Sequence, residues 1–199
     1  MARHPKVKLT KATVAVVGDG QTERIYFADV RDTDRPDNLT IFPDYPRKIG
    51  SYAGVLERAT RLKTEYDLVY ALIDMDKIIQ ENQLAAYRRD KALAEAEGVI
   101  VLENNPCFEL WLLLHFEHTG RLFNNCQDVV NLLDHPQRIP GYTKEQRFQT
   151  ARRLYQTYKH QLQATAAPNA ARLEVNRDQQ DILYPRAEVY KFFDWYFNR

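Results

Sequence analysis

Apolar positions cluster into four short runs, separated by longer stretches with helical spacing. Residues 12–17 form a β-branched run, and residues 39–42 and 99–102 form shorter ones. The strongest is LVYALI at 68–73, which closes on Asp74 and Asp76. Short apolar runs without alternation read as strands buried on both faces, the pattern of a parallel sheet. A helix is predicted over 23–30, capped by Thr22, with Ile25, Tyr26, Phe27 and Val30 giving a buried side. Ser51 caps a second over 52–66, with Val55, Leu56, Ala59 and Leu62 on one face. A third spans 78–97 and stops at Gly98. The order β-α-β-α-β-α-β predicts an α/β fold over residues 1–119: a mostly parallel four-stranded sheet flanked by helices, with right-handed crossovers.

The pattern changes after the fourth strand. Pro106 suits the first turn of a helix over 107–116, which is apolar almost all round and therefore buried. Glu109 stands inside that run, where a carboxylate needs a partner, a metal or a proton. Phe108 and Trp111 read as core, and His115 and His118, with no third ligand nearby, as helix-end residues. A short helical piece at 129–133 leads to a Pro-punctuated loop ending at Lys144. A helix over 145–163 carries Arg147, Arg152, Arg153 and Lys159; Arg152 and Lys159, seven apart, share a face that reads either as an ordinary solvated one or as one for phosphate. A small-residue linker at 164–171 and an aromatic helix at 184–197 close the chain. Residues 120–199 are expected to form a helical C-terminal extension packed on the core.

Composition narrows the class without naming a ligand. The chain has 199 residues, 44% hydrophobic and 28% charged, with a net charge of +1. Any basic surface is therefore local. Two cysteines, Cys107 and Cys126, lack metal-ligand spacing, and they suit a reducing cytoplasm better than a disulfide scaffold. The basic start, MARHPKVKLTK, carries no signal-type apolar segment. No apolar run reaches the roughly 18 residues of a membrane span, so no membrane partner is expected.

The candidate chemistry lies at strand ends. In open α/β sheets, ligands bind outside the carboxyl ends of the strands. Asp74 and Asp76 stand there, as i and i+2 of an extended chain, and paired carboxylates suit Mg2+. An ordinary polar loop has the same composition. Gly18-Asp19-Gly20 turns the chain off the first strand and puts Glu23 at a helix start. This is neither a P-loop, since Lys-Ser/Thr is missing, nor a dinucleotide fingerprint, since the third glycine is missing. If strands one and three are neighbours, Glu23, Asp74 and Asp76 meet at one sheet edge.

Together GDGQTERIYF at 18–27, DMD at 74–76 and NPCFELWLLLHF at 105–116 resemble the RloB-like branch of the Toprim-fold proteins. That fold is known from OLD-family nucleases, topoisomerases and primases. The resemblance implies that Glu23 is the Toprim glutamate, a ligand or general acid/base, and that Asp74 and Asp76 bind Mg2+ or Mn2+. It implies cleavage of phosphodiester bonds in DNA or RNA, a setting in bacterial antiviral defence, and a partner ATPase encoded nearby. The chain departs from the pattern after Asp76, where Lys77 replaces a further acid or glycine. A second metal would then need Glu103 or Glu109. Lys144 is a candidate to face a developing oxyanion. Two other readings stand beside the nuclease: a non-cleaving nucleic-acid or nucleotide-binding effector, and a nucleotidyl transferase.

Overall fold

The computed structural model describes residues 11–46, 51–176 and 182–199. The basic N-terminal stretch read above lies, apart from Lys11, outside them. Four parallel strands carry the fold: β1 (Ala12–Val17), β2 (Leu39–Asp44), β3 (Leu68–Asp74) and β4 (Ile100–Asn105). The helices are α1 (Gln21–Asp34), α2 (Tyr52–Leu62), α3 (Asp76–Gln80), α4 (Leu84–Ala96), α5 (Glu109–Leu113), α6 (Cys126–Leu133), α7 (Gln146–Arg152), α8 (Leu154–Gln161), α9 (Ala167–Asn176) and α10 (Val189–Asn198). A short fifth strand, β5 (Arg186–Ala187), adds antiparallel to β4, so the sheet order is β2-β1-β3-β4-β5.

The sheet is covered on both faces, which is why its strands read as continuous apolar runs. Val14, Val16, Tyr70, Leu72 and Leu102 point to one side, into a core built with Tyr26, Phe27, Trp111, Phe192 and Phe193. Ala15, Val17, Val69, Ala71 and Ile73 point to the other, against Val55, Ala59 and Leu62 of α2. Large side chains buried this completely contribute about 1.5–3 kcal/mol each. Trp111 and Phe108 are core residues, fully buried, with Trp111 stacked on Phe193 at 5.4 Å.

The structure corrects several local expectations. The helix expected over 78–97 is two helices, because Asn82 turns left-handed at φ 54°. Asparagine tolerates that conformation better than most residues. The helix expected over 145–163 breaks at Arg153, also left-handed at φ 46°. A tertiary clamp offsets that strain: Arg153 Nε and the Gln156 amide both donate to buried Asp29 on α1, at 2.9 and 3.0 Å. The stretch expected as a linker at 164–171 is instead a π-helical turn followed by the start of α9. At the chain's end, β5 occupies residues read as helix, because Arg186 and Ala187 pair with Asn105 and Asn104. Among the described residues, no helix is long and apolar enough to cross a membrane.

Candidate functional site

The site is built where β1 and β3, paired in parallel, both end. β1 runs out at Val17, and Gly18 follows on the face that carries Val14 and Val16. A Cβ added at Gly18 would lie 2.4 Å from the Glu23 Cβ, so glycine is required for the glutamate to cross the strand tip. The N-cap of α1 is Gly20 rather than Thr22, and Glu23 occupies the third helical position. Its carboxylate accepts the Gly20 amide at 3.2 Å. Local capping geometry thereby aims the side chain at the sheet edge.

Asp74 ends β3, and its Oδ1 accepts the Phe108 amide at 2.8 Å. That bond docks the segment leading into α5 onto the strand tip. Glu109 opens α5, 0% exposed. Its Oε1 takes Lys144 Nζ at 3.0 Å and the Tyr142 hydroxyl at 3.2 Å. Both partners come from the Pro-Gly-Tyr loop, which turns at Gly141 with φ 72°. Gln149 pins the loop by donating to the Thr143 carbonyl at 2.6 Å. Lys144, Glu23, Asp74, Asp19 and Gln146 line one open crevice of about 430 Å3, large enough to admit a hydrated cation beside a phosphate group.

Electrostatics bind these groups into one unit. Burial, then the Glu109 carboxylate, raises Glu23 to about 7. Burial, with Glu23 and Glu109, holds Asp74 well above the carboxylate range. Burial alone would lower Lys144, but Glu109, Asp74 and Glu23 outweigh it and raise the ammonium. Glu23, Asp74, Glu109 and Asp19 thus face Lys144 and Lys77, an excess of negative charge that a hard divalent cation fits.

Glu23, Asp74, Glu109 and Lys144 therefore come together. Asp76 is placed differently. The strand ends at Asp74, so the alternation argument does not extend to Asp76, which starts α3. Its Oδ1 accepts its neighbour's Lys77 amide at 2.7 Å, and its Oδ2 the Cys126 amide at 3.4 Å. It lines an adjoining crevice that shares Asp19, Asp74 and Lys77 with the first. Glu103, the alternative ligand, is on the opposite face, paired with Lys91 at 2.8 Å and with Arg186. It has no part in the site. His115 is buried, bonded to the Trp111 carbonyl, and lowered to about 4 by burial.

The cationic face expected on one helix is not there. Arg152 ends α7 and donates to the Pro140 carbonyl, while Lys159, on α8, pairs with Asp34 at 2.9 Å. Arg147 is exposed, next to Gln146 of the crevice. The cysteine expectation is also corrected: Cys107 and Cys126 form a disulfide, with Cα atoms 5.6 Å apart. They stand nineteen positions apart, and only the docking of α6 against α5 brings them together. Sequence reasoning passed over Tyr142 and Asp19 as site residues. Asp19 carried a signal, since it follows its strand tip as Asp74 closes its own. Tyr142 carried none, because its role exists only through the folded loop.

No curated protein and no solved structure matches the chain. The family profile described as RloB-like protein matches residues 14–194, from within β1 to within α10, and so takes in all the site residues. On that coverage, the chain belongs to the RloB-like family.

Proposed function

We propose that this protein is a Toprim-type nuclease that cleaves phosphodiester bonds of DNA or RNA with Mg2+ or Mn2+, in bacterial defence against mobile elements. The observation that carries this reading is the pairing of Glu23 and Asp74 on one crevice at the carboxyl edge of a parallel sheet, with the buried Glu109 carboxylate close enough to raise both. The donor set is hard oxygen with excess negative charge, which fits a divalent cation. Glu23, Asp74 and Glu109 would hold it, with Asp19 shared by the two crevices and Asp76 on the adjoining one. Bound there, such a cation would supply Lewis-acid stabilisation of phosphate charge and an acidified water.

The chain's own groups supply the rest. Glu23, raised to about 7, suits proton transfer near neutral pH. Lys144, half-exposed on the crevice and drawn toward Glu109, presents a cation to an incoming phosphate oxygen. Tyr142 fixes the orientation of Glu109 through its hydroxyl. Arg147, exposed and next in sequence to Gln146 of the crevice, would meet the phosphate backbone; Arg152 and Lys159 would contribute only by leaving their present partners. A partner ATPase would act with this subunit.

One observation favours a second reading, a non-cleaving nucleic-acid or nucleotide-binding effector. Lys144 already sits on Glu109, and a built-in cation there does part of a metal's work. End-labelled DNA and RNA, incubated with Mg2+ or with chelator, separate the two. Cation-dependent products that vanish with Asp74→Asn support the nuclease. Retention of labelled strands without cleavage, unaffected by chelator, supports the effector.

A further inference from the structure

The Cys107–Cys126 disulfide lies directly against Glu109, Lys144 and Asp76. Cys107 is fully buried, and Cys126 is half-buried at the start of α6. Cys126 Sγ lies 3.0 Å from Glu109 Oε2 and 3.5 Å from Lys144 Nζ, and the Cys126 amide reaches Asp76 Oδ2 at 3.4 Å. A sulfur in a disulfide has no hydrogen to donate. Glu109 Oε2 therefore faces Cys126 without a hydrogen bond, while Oε1 holds Lys144 and Tyr142.

We propose that this disulfide is a thiol-exchange switch that sets the cation affinity of the acid site; the inference rests on the metal-binding reading above. Attack by a dithiol at the more accessible Cys126 sulfur breaks the S–S bond and forms a mixed disulfide. Cys107 leaves as a thiolate and takes up a proton. The reductant's second thiol then displaces Cys126, which also ends as a thiol. Two electrons and two protons pass to the protein, and the reductant leaves as its own disulfide. Cys126 now carries an S–H within reach of Glu109 Oε2. A donor on that oxygen draws charge from the carboxylate and competes with a cation for its lone pairs. Reduction also unties the start of α6, whose amide rests on Asp76. Both changes act in one direction: the oxidised form binds a divalent cation more tightly.

The test is Mn2+ titration by calorimetry on the full chain, oxidised and then reduced with dithiothreitol, desalted, and checked by counting thiols. About tenfold weaker binding is expected after reduction, the scale of altered support for a metal ligand. Cys107→Ala leaves a permanent Cys126 thiol and should bind weakly whatever the treatment. Cys126→Ala has neither the bond nor the S–H and should bind between the oxidised and the reduced wild-type levels whatever the treatment. Equal affinity of the two wild-type forms, with two thiols counted after reduction, overturns the switch and leaves the metal site standing. So does a dithiothreitol response that persists in Cys107→Ala. If neither form binds Mn2+, the metal-binding reading fails and the switch fails with it. Should Cys107→Ala not fold, the two wild-type forms decide alone.

Discussion

Glu23→Gln tests the site through the stability it costs. In the cation-free protein Glu23 is raised from 4.5 to about 7, by burial first and by the Glu109 charge second. Above both values the side chain is ionised folded and unfolded, so the full penalty is expressed, about 3 kcal/mol at 1.36 kcal/mol per pH unit. Glutamine keeps the length and an oxygen for the Gly20 amide, and removes the charge. At about pH 8 in chelator the variant should therefore melt higher than wild type, by roughly 5–10 °C for a chain of this size. The sign follows from proton counting. Between the two values the folded state binds more protons than the unfolded, so wild-type stability falls as pH rises through that window. Near about pH 4.5 the carboxyl is protonated in the fold, and the difference between the proteins should nearly vanish. The same change should lower Mg2+ affinity at least tenfold in calorimetric titration, since it removes one of three acids. Thermal unfolding with chelator at the two pH values, plus that titration, makes the assay. A variant that melts lower than wild type at high pH, yet binds Mg2+ equally, would refute the idea that Glu23 is held at a cost for function.

Other outcomes follow from the same geometry. Mg2+ affinity should rise with pH through about 7, at least roughly tenfold per unit below it, because binding must expel the protons that Glu23 and Asp74 hold in the cation-free site; a pH-independent affinity would exclude both as ligands. Gly18→Ala should displace Glu23, given a 2.4 Å approach to its Cβ, and abolish cation binding while the far-ultraviolet spectrum stays native. Tyr142→Phe should cost about 1 kcal/mol in denaturant unfolding, one buried hydroxyl bond, and weaken cation binding through a less restrained Glu109. Asp29→Ala should destabilise by about 2–4 kcal/mol, since Arg153, Gln156 and Thr33 all lose their acceptor, without changing Mg2+ affinity.

What the chain announces by itself is whatever local physics decides. The four parallel strands are legible because burial on both faces leaves an unbroken apolar run, and no tertiary knowledge is needed to see one. Glu23 and Asp74 are legible for a related reason. Each follows such a run, and strand ends in this architecture open on a common edge. Glu109 stands out because a carboxylate inside CFELWLLL cannot be left alone in the core. The kinked helices are different. Asn82 permits a left-handed turn without demanding one, and nothing local marks Arg153: the turn there exists because Asp29, far away in sequence, clamps both sides of it. Asp76 is illegible in the same way: extended alternation assigns it to the site, and the early start of α3 turns it into the adjoining crevice. The cysteines lie nineteen apart with ordinary spacing, so only the docking of α6 on α5 makes them a pair. Residue type and periodicity fix which groups must be buried, but the partner of a buried charge is a long-range choice. Here that choice brought Tyr142, Lys144 and the disulfide to Glu109, and packing alone made it.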